Sequence, residues 1–274
     1  MASSNNALKV ADLDFFSIRN NLKDFLRNQS EFTDYDFEGS GMAVLLDLLA
    51  YNTHYNAINA NMAINEVFLD SADRRSYIVS HAKLLGYVPR SKSAAFATVD
   101  ITVNNPTGSP SKLTLDRGTE FTAIINDKQY IFTTLETQTI APVAGVYKFS
   151  NVVLYQGKLR STFYTVDSFD DHQYYEIQDL NCDRDTITVR VKENENATVY
   201  DVYTLAKNFT KLNYASKAYY LQEAVSERFE VYFGDGITSK KLNGGNVVQL
   251  EWLSTDGVDG NGASLFTLSG TIQG

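Results

Sequence analysis

The sequence is poor in the residues that build many catalytic and metal-binding sites. Its 274 residues include one cysteine and three histidines. The single cysteine, Cys182, excludes an intramolecular disulfide and a zinc site made from several thiolates of one chain. Its sequence neighbours, Asn181 and Asp183, provide no cation that would favour a thiolate. The fold must therefore be stabilised by packing, and we expect neither a metal nor a cofactor.

Positive charge is also scarce. Lys and Arg total 24 against 33 Asp and Glu, which gives a formal net charge of -9 and argues against a nucleic-acid partner. The acidity is uneven, because the net charge is -2 up to residue 95 and -7 thereafter. No apolar run reaches the roughly 18 residues that cross a bilayer, and the polar residues 1–6 lack the apolar segment of a signal peptide. Neither a membrane partner nor Sec-type export is expected.

The apolar residues that are present follow two different periods. Up to about residue 95 they recur at helical spacing, and from residue 96 they alternate in short bursts separated by Gly, Asn and Asp. We therefore predict an α+β chain, with a helical assembly region at residues 1–95 and a β-rich region at residues 96–274. The β-rich region is expected to be mainly antiparallel and sandwich-like, and an inserted subdomain at about residues 145–220 is compatible with the pattern.

Six segments of the second half carry strand patterns. Polar and apolar residues alternate at residues 98–103, 186–191 and 229–233, and aromatic-rich segments occupy residues 129–132, 146–155 and 247–252. We therefore expect six or more short strands.

Three helices are predicted in the first half. They span about residues 12–27, a long segment from the N-cap Ser40 towards Leu69, and residues 72–85 before the stop signal Gly86. On the long helix, alternating steps of four and three residues connect apolar and aromatic positions, which is typical of helix bundles. We call these positions the helix seam: Val44, Leu48, Tyr51, Tyr55, Ile58, Met62 and Leu69.

The long helix has almost no charge. Asp47 is the only charged residue at positions 43–65, whereas Asn52, Asn56 and Asn59 form what we call the amide face. A solvated helix usually carries Lys and Glu, and buried amides are tolerated when they are hydrogen-bonded. Two interpretations remain open on the residues alone: an assembly helix covered by other subunits, or a monomeric helical hairpin with a polar back.

One glycine-rich motif superficially resembles a phosphate-binding loop. Phe233, Gly234, Asp235 and Gly236 follow a predicted strand, but Ser239 occupies the position where a dinucleotide fingerprint has its third glycine. A tight hairpin turn is the better interpretation of this Asp-Gly pair.

Other candidate sites are weak as well. Asp256, Asp259 and Asn261 lie among glycines but depart from the EF-hand spacing, and such residues are common in loops. The histidines have no suitably spaced partners, and the paired carboxylates are expected on solvated surface. We therefore expect no enzymatic activity.

Several long segments of the sequence resemble segments of a known protein family. Residues 36–89 and the two residues that follow them include LLAYNTHYNA, ANMAINE, FLDSA and SHAKLLGYVPRS. This stretch resembles the N-terminal region of the baseplate wedge proteins of T-even-like contractile-tailed bacteriophages, members of the baseplate J-like group. A weaker signature is FGDG at residues 233–236 with GVDGNG at residues 257–262, which includes Gly260 and Asn261 and is similar to segments of baseplate J-like proteins generally.

The resemblance implies a structural role in the virion. It implies that two copies, as a homodimer, associate with one larger baseplate wedge subunit through a helical core bundle, to which smaller baseplate and sheath-initiating proteins attach. The C-terminal domains would link wedges into the inner ring around the hub, and the protein would be made in the host cytoplasm. Family members usually continue beyond the GVDGNG turn, whereas this sequence ends at Gly274. Two interpretations stay open, a short relative or a fragment of a longer product, and in either case the ring-forming part is expected to be missing or reduced.

A second function from another class is kept as the alternative. It is a glycan-binding or adhesive virion module, in which exposed Tyr and Phe side chains of the β-rich half stack on sugars.

Overall fold

The computed structural model describes residues 14–29, 31, 39–104, 106, 108–170, 173–224 and 226–273. The chain divides into two compact units, one ending at Tyr87 and the other beginning at Val88. All α-helices in these ranges lie in the first unit, and all strands lie in the second. This order confirms the predicted α+β class with an N-terminal helical region.

The first unit contains the three helices α1 (Phe15–Arg27), α2 (Gly41–Asn65) and α3 (Arg75–Leu84). The carboxylate of Asp14 accepts a hydrogen bond from Ser17 N at 3.3 Å and begins α1, and the predicted start at residue 12 lies outside the described residues. The hydroxyl of Ser40 accepts a hydrogen bond from Ala43 N at 3.0 Å, which confirms the predicted N-cap of α2. None of the helices in the described ranges has the length and apolarity needed to span a membrane.

Helix α2 ends four residues before the last position of the predicted seam. It ends at Asn65, so the placement of Leu69 on this helix is wrong. The Ser71 hydroxyl donates a hydrogen bond to the Asn65 carbonyl at 2.7 Å, which satisfies a helix-end acceptor and turns the chain away. The corner that follows delays α3, which begins at Arg75 rather than near residue 72.

The second unit contains fourteen strands among the described residues. They are β1 (Phe96–Asn104), β2 (Leu113–Leu115), β3 (Glu120–Ile125), β4 (Lys128–Thr134), β5 (Gln138–Ile140), β6 (Val146–Gln156), β7 (Lys158–Thr165), β8 (Tyr175–Glu176), β9 (Cys182–Lys192), β10 (Tyr200–Leu205), β11 (Ala218–Glu223), β12 (Phe229–Phe233), β13 (Val247–Ser254) and β14 (Thr267–Leu268). Each of the six predicted strand segments lies within one of these strands, because alternating burial imposes the period of two that the sequence displays.

The strands form a five-stranded sheet in the order β1-β6-β4-β3-β14, a seven-stranded sheet in the order β7-β13-β9-β10-β11-β12-β8, and the pair β2-β5. Among the described strands only β10 and β11 pair in parallel, which agrees with the predicted antiparallel character. Residues 145–220 contribute β6 to the five-stranded sheet, and β7 to β10 with the start of β11 to the seven-stranded sheet. They are therefore shared between the two large sheets and form no sheet of their own.

Each large sheet has its own apolar core. One cluster contains Phe132, Phe149 and Leu154 of the five-stranded sheet together with Leu115 of the β2-β5 pair. The other contains residues of the seven-stranded sheet, such as Val189, Val231 and Leu250. The sandwich-like region thus has two separate cores.

The chain passes between the two large sheets twice, from β6 to β7 and from β13 to β14, and the first passage has almost no connecting segment. Strands β6 and β7 are separated only by Gly157, which has a φ of 133°. A Cβ atom at this position would lie 2.4 Å from the Ser254 carbonyl oxygen, so the crossing requires glycine. The partly buried Arg117–Glu251 ion pair, with Arg117 Nη2 2.7 Å from Glu251 Oε1, connects the segment before β3 of the five-stranded sheet to β13 of the seven-stranded sheet.

Candidate functional site

One face of α2 is covered by α1. Ala43, Leu46 and Ala50 are buried on α2, and Ile18 is buried on α1. Arg19 Nε of α1 lies 2.5 Å from Asp47 Oδ1 of α2. The only charged residue of α2 is therefore engaged by its own neighbouring helix.

The helix seam lies on a second face of α2 and is exposed. At 3.6 residues per turn it is centred about 120° around the helix from the face that contacts α1. Its six positions on the helix, which are Val44, Leu48, Tyr51, Tyr55, Ile58 and Met62, are 41% to 64% exposed. Leu69 is exposed too, but it lies in the corner after the helix. An uncharged row of large apolar side chains of this length is unusual on the surface of a soluble monomer.

The third face of α2 carries the amides. Leu45 and Leu49 occupy its N-terminal part, and Asn52, Asn56 and Asn59 continue it, about 120° from the α1 contact in the other direction. All five are exposed, and Asn56 Nδ2 donates a hydrogen bond to Asn52 Oδ1 at 3.4 Å. A face of leucines followed by amides suits close packing of another helix with hydrogen bonds at the contact.

The corner between α2 and α3 was missed by sequence reasoning. Glu66 is 7% exposed, its carboxylate accepts hydrogen bonds from Arg74 N at 3.4 Å, and its carbonyl oxygen lies 3.0 Å from His81 Nε2. The sequence feature that could have indicated this corner is Glu66, a lone carboxylate at the end of a charge-poor helix. The corner presents three more exposed apolar side chains, those of Val67, Phe68 and Leu69.

The FGDG motif forms a turn that is fixed by its aspartate. Asp235 Oδ1 accepts hydrogen bonds from the backbone N–H groups of Ile237 at 2.9 Å and Thr238 at 3.1 Å. These bonds hold the pKa of Asp235 below its ordinary value. A Cβ atom on Gly234 would lie 1.9 Å from Ser239 Oγ, so the close return of the chain requires glycine there.

The motif is a turn but does not close a hairpin. Strand β12, which ends at Phe233, pairs with β11 and β8, whereas the next strand, β13, pairs with β7 and β9. The predicted tight hairpin is therefore wrong, because the chain moves to a different part of the seven-stranded sheet.

The GVDGNG segment is packed against the crossing between the sheets. The Gln156 side chain, which is 2% exposed, accepts hydrogen bonds from Thr255 Oγ1 at 2.6 Å and Asp256 N at 2.9 Å. A Cβ atom on Gly260 would lie 2.4 Å from Gln156 Cγ, and Asn261 N donates a hydrogen bond to the Val258 carbonyl at 3.1 Å. The signature residues Gly260 and Asn261 thus shape a turn that anchors the sheets.

The described part of the chain shows no cluster of three or more His, Cys, Asp or Glu side chains that could hold a metal ion. Cys182 is buried, and burial, followed by the carboxylates of Asp179 and Asp183, raises the pKa of its thiol far above the ordinary value. His172 lies outside the described residues. The uncovered faces of α2 are therefore the most distinctive candidate site in these ranges.

A helical region that leaves two faces of its longest helix uncovered is characteristic of an assembly protein, and the comparisons agree. Residues 14–87 match the model of the baseplate wedge protein gp6-like helical domain. Residues 162–254 match the model of the third domain of bacteriophage baseplate wedge protein gp6. The chain belongs to this family of phage baseplate wedge proteins, and it is a component of the virion tail baseplate.

A curated relative extends the similarity over nearly the whole chain. Baseplate wedge protein gp6 of Enterobacteria phage T4 is 32% identical over 276 residues, which cover 94% of this chain. The chain spans 40% of the length of that relative.

Proposed function

We propose that residues 1–95 join a helical core bundle of the baseplate wedge, and that residues 96–274 help link wedges into the inner ring around the hub. The observation that carries the bundle is the pair of uncovered, uncharged faces on α2. Burying one exposed Leu, Ile or Val side chain contributes about 1.5–3 kcal/mol, so a few seam residues could supply much of an association free energy.

The two faces suit two different contacts. The helix seam is large and apolar, which fits knobs-into-holes packing against a long helix. The amide face has smaller apolar content and more hydrogen-bonding capacity, which fits a contact whose register is set by polar groups. We assign these contacts to a second copy of the chain, giving a homodimer, and to the larger wedge subunit. Smaller baseplate and sheath-initiating proteins would then attach to the finished bundle.

The proposed role is non-enzymatic. The similar protein from phage T4 is named as a baseplate wedge protein, and the charge-poor helical faces offer packing surfaces rather than acid, base or nucleophile.

Charge insertion in the seam tests the bundle. The full chain is co-expressed with the larger wedge subunit, and Leu48→Asp or Ile58→Asp is expected to abolish co-purification, because each variant would bury an unpaired carboxylate. The matched control is Ser80→Asp, which adds the same charge at an exposed position of α3. Normal complex formation by both seam variants would reject the seam as an interface.

The adhesive alternative has less support from the placement of aromatic residues. Tyr203, Tyr219 and Phe229 are buried in the core of the seven-stranded sheet. The most exposed aromatics of the β unit, such as Phe169 and Tyr214, lie on separate loops. A glycan array probed with the full chain is expected to give no hits, and specific binding to one glycan class would favour the alternative.

A further inference from the structure

Two positions of the chain have asparagine directly before glycine. They are Asn243 before Gly244 and Asn261 before Gly262, and all four residues are exposed in loops of the β unit. The backbone nitrogen after an asparagine can attack that asparagine's side-chain carbon, and a glycine at the following position has no side chain to hinder the approach. Because the attack also requires the backbone to rotate, the fold decides which of the two pairs reacts.

The backbone around Asn243 is held on both sides of the reactive bond. Asn243 N donates a hydrogen bond to Asn246 Oδ1 at 2.8 Å, and the Asn243 carbonyl accepts one from Asn246 N at 3.1 Å. Gly245 N donates a hydrogen bond to the Val166 carbonyl at 2.9 Å. The peptide that would have to rotate is therefore enclosed by a closed turn.

The neighbours of this turn restrain it further. A Cβ atom on Gly244 would lie 2.0 Å from Ser168 Oγ, so Gly244 is packed closely against another loop. Asn246 Nδ2 donates a hydrogen bond to the Glu193 carbonyl at 2.8 Å. Rotation of the Gly244 peptide towards the Asn243 side chain would disturb these contacts.

The backbone after Asn261 has much less support. Before the reactive bond, Asn261 N donates a hydrogen bond to the Val258 carbonyl at 3.1 Å. After it, no backbone hydrogen bond among the described residues involves residues 262–266, which lie outside the helices and strands. A Cβ atom on Gly262 would have Ile125 Cγ2, at 3.9 Å, as its one neighbour within 4 Å. The peptide that must move is therefore in open space.

Gly262 can absorb the rotation that ring closure needs. The ψ of Asn261 is 145°, an extended value, and this angle must change before Gly262 N can approach Asn261 Cγ. Ala263, the next residue, packs partly against the core of the five-stranded sheet, so Gly262 must compensate within one residue. Glycine does so at low cost, because its backbone tolerates values on both sides of φ zero.

We propose that Asn261 is a site of spontaneous deamidation in the folded chain, whereas Asn243 is protected. The Gly262 nitrogen loses its proton and forms a bond to Asn261 Cγ, and the side-chain nitrogen leaves as ammonia. Water then opens the succinimide ring. Cleavage of the new bond between Cγ and nitrogen gives aspartate, and cleavage of the original peptide bond gives isoaspartate. The reaction consumes one water, releases one ammonia and involves no oxidation or reduction.

Isoaspartate at position 261 would alter the anchor between the sheets. It adds one carbon to the backbone directly after Gly260, where a Cβ atom would already lie 2.4 Å from Gln156 Cγ. Gln156 in turn accepts the hydrogen bonds of Thr255 Oγ1 and Asp256 N. We therefore expect the isoaspartate form, once separated by ion exchange, to unfold at a lower urea concentration than the unmodified chain.

Peptide mapping of the full chain tests the proposal. The folded chain is incubated at mildly alkaline pH, since base removes the amide proton, and mass spectrometry follows both peptides over time. Deamidation at Asn261 is expected to be about tenfold or more faster than at Asn243, because reaction at Asn243 must first break additional hydrogen bonds. Equal rates, a faster reaction at Asn243 or no reaction at Asn261 would overturn the proposal.

The chain unfolded in guanidinium chloride is the control for local sequence. Both asparagines precede glycine, so they are expected to deamidate at similar rates once the fold is lost. If Asn261 kept its full advantage in the unfolded chain, the flanking sequence and not the fold would set the order, and the structural explanation would be wrong.

A substitution tests the protection of Asn243 directly. Asn246→Ala removes the side-chain acceptor of Asn243 N and the hydrogen bond to the Glu193 carbonyl, so deamidation at Asn243 is expected to accelerate about fivefold while Asn261 keeps its rate. Asn261→Gln is the matched variant for the reactive site, and it should abolish the mass change in that peptide alone. An unchanged rate at Asn243 in Asn246→Ala, or acceleration at both sites, would contradict local protection.

Discussion

At the scale of single residues, the two signature glycines are explained by what stands opposite them. Gly234 faces Ser239, and Gly260 faces Gln156. The sequence predicts that both belong to turns, since Asp-Gly and Gly-Asn pairs favour turns. It could not predict the steric reason at Gly260, because Gln156 lies far away along the chain and approaches only when the sheets are assembled.

Replacing Gly260 tests that steric reason. Gly260→Ala is expected to lower the free energy of unfolding by about 1–3 kcal/mol, because the added methyl group must displace the buried Gln156 side chain. Urea denaturation of the full chain measures the change. Gly41→Ala is the matched control, since no heavy atom lies within 4 Å of the position that its added methyl group would take, and it should be neutral or slightly stabilising.

The FGDG turn has a predicted pH dependence. Its backbone hydrogen bonds lower the pKa of Asp235, so in the folded protein the carboxyl should titrate below the ordinary value of about 3.9. A lowered pKa stabilises the fold above about pH 4, and this contribution is lost as the pH falls through the folded value. Side-chain carboxyl NMR measures the midpoint. The urea-unfolded chain is the reference. Equal titration midpoints of Asp235 in the folded and unfolded chains would contradict the proposed effect of the backbone hydrogen bonds on its pKa.

At the scale of secondary-structure elements, the helix start was predictable and the helix end was not. Ser40 is a local N-cap signal next to the helix it begins. The end at Asn65 depends on Ser71 and on the buried Glu66, whose partners Arg74 and His81 come from the following segment. A heptad pattern carries no information about such a corner, and this is why the seam was extended to Leu69.

The Ser71 hydroxyl is expected to stabilise this corner. Ser71→Ala would leave the Asn65 carbonyl without that hydrogen bond at a buried site, at a cost of about 1–2 kcal/mol. Amide hydrogen exchange in α3 should accelerate about tenfold, because local opening becomes easier. Ser80→Ala on the exposed side of α3 is the control, and equal exchange rates in the two variants would contradict this role.

At the scale of the whole molecule, the change of period along the sequence predicted a helical part followed by a β-rich part, and the structure divides between Tyr87 and Val88. The sequence also located six strands, because alternation is a local pattern. It could not assign strands to two sheets with separate cores, since strand order depends on pairings between distant segments, such as β13 with β7 and β9. The heptad pattern could not predict that the helix seam is exposed in the single chain. The same pattern occurs when a helix packs within its own chain and when it packs against other subunits.

Without its partners the full chain is expected to self-associate. The exposed apolar faces of α2 from different copies would pack against one another. Sedimentation velocity should therefore show species larger than the 30.6 kDa monomer, and these species should persist in 1 M salt because apolar contacts are not screened. Leu48→Asp with Ile58→Asp should shift the chain towards monomer, and Ser80→Asp should not. Association that disappears in high salt would instead indicate a contact dominated by charge.

The uninterrupted backbone of β6, Gly157 and β7 has a mechanical consequence. Strand β6 is hydrogen-bonded to β1 in one sheet, and β7 is hydrogen-bonded to β13 in the other. A force that pulls on one sheet is therefore transmitted to the other through the backbone and the interstrand hydrogen bonds of this ribbon, and not through a flexible linker. Such a connection resists stretching better than it resists bending, so a structural component of the baseplate gains stiffness along the direction of this ribbon.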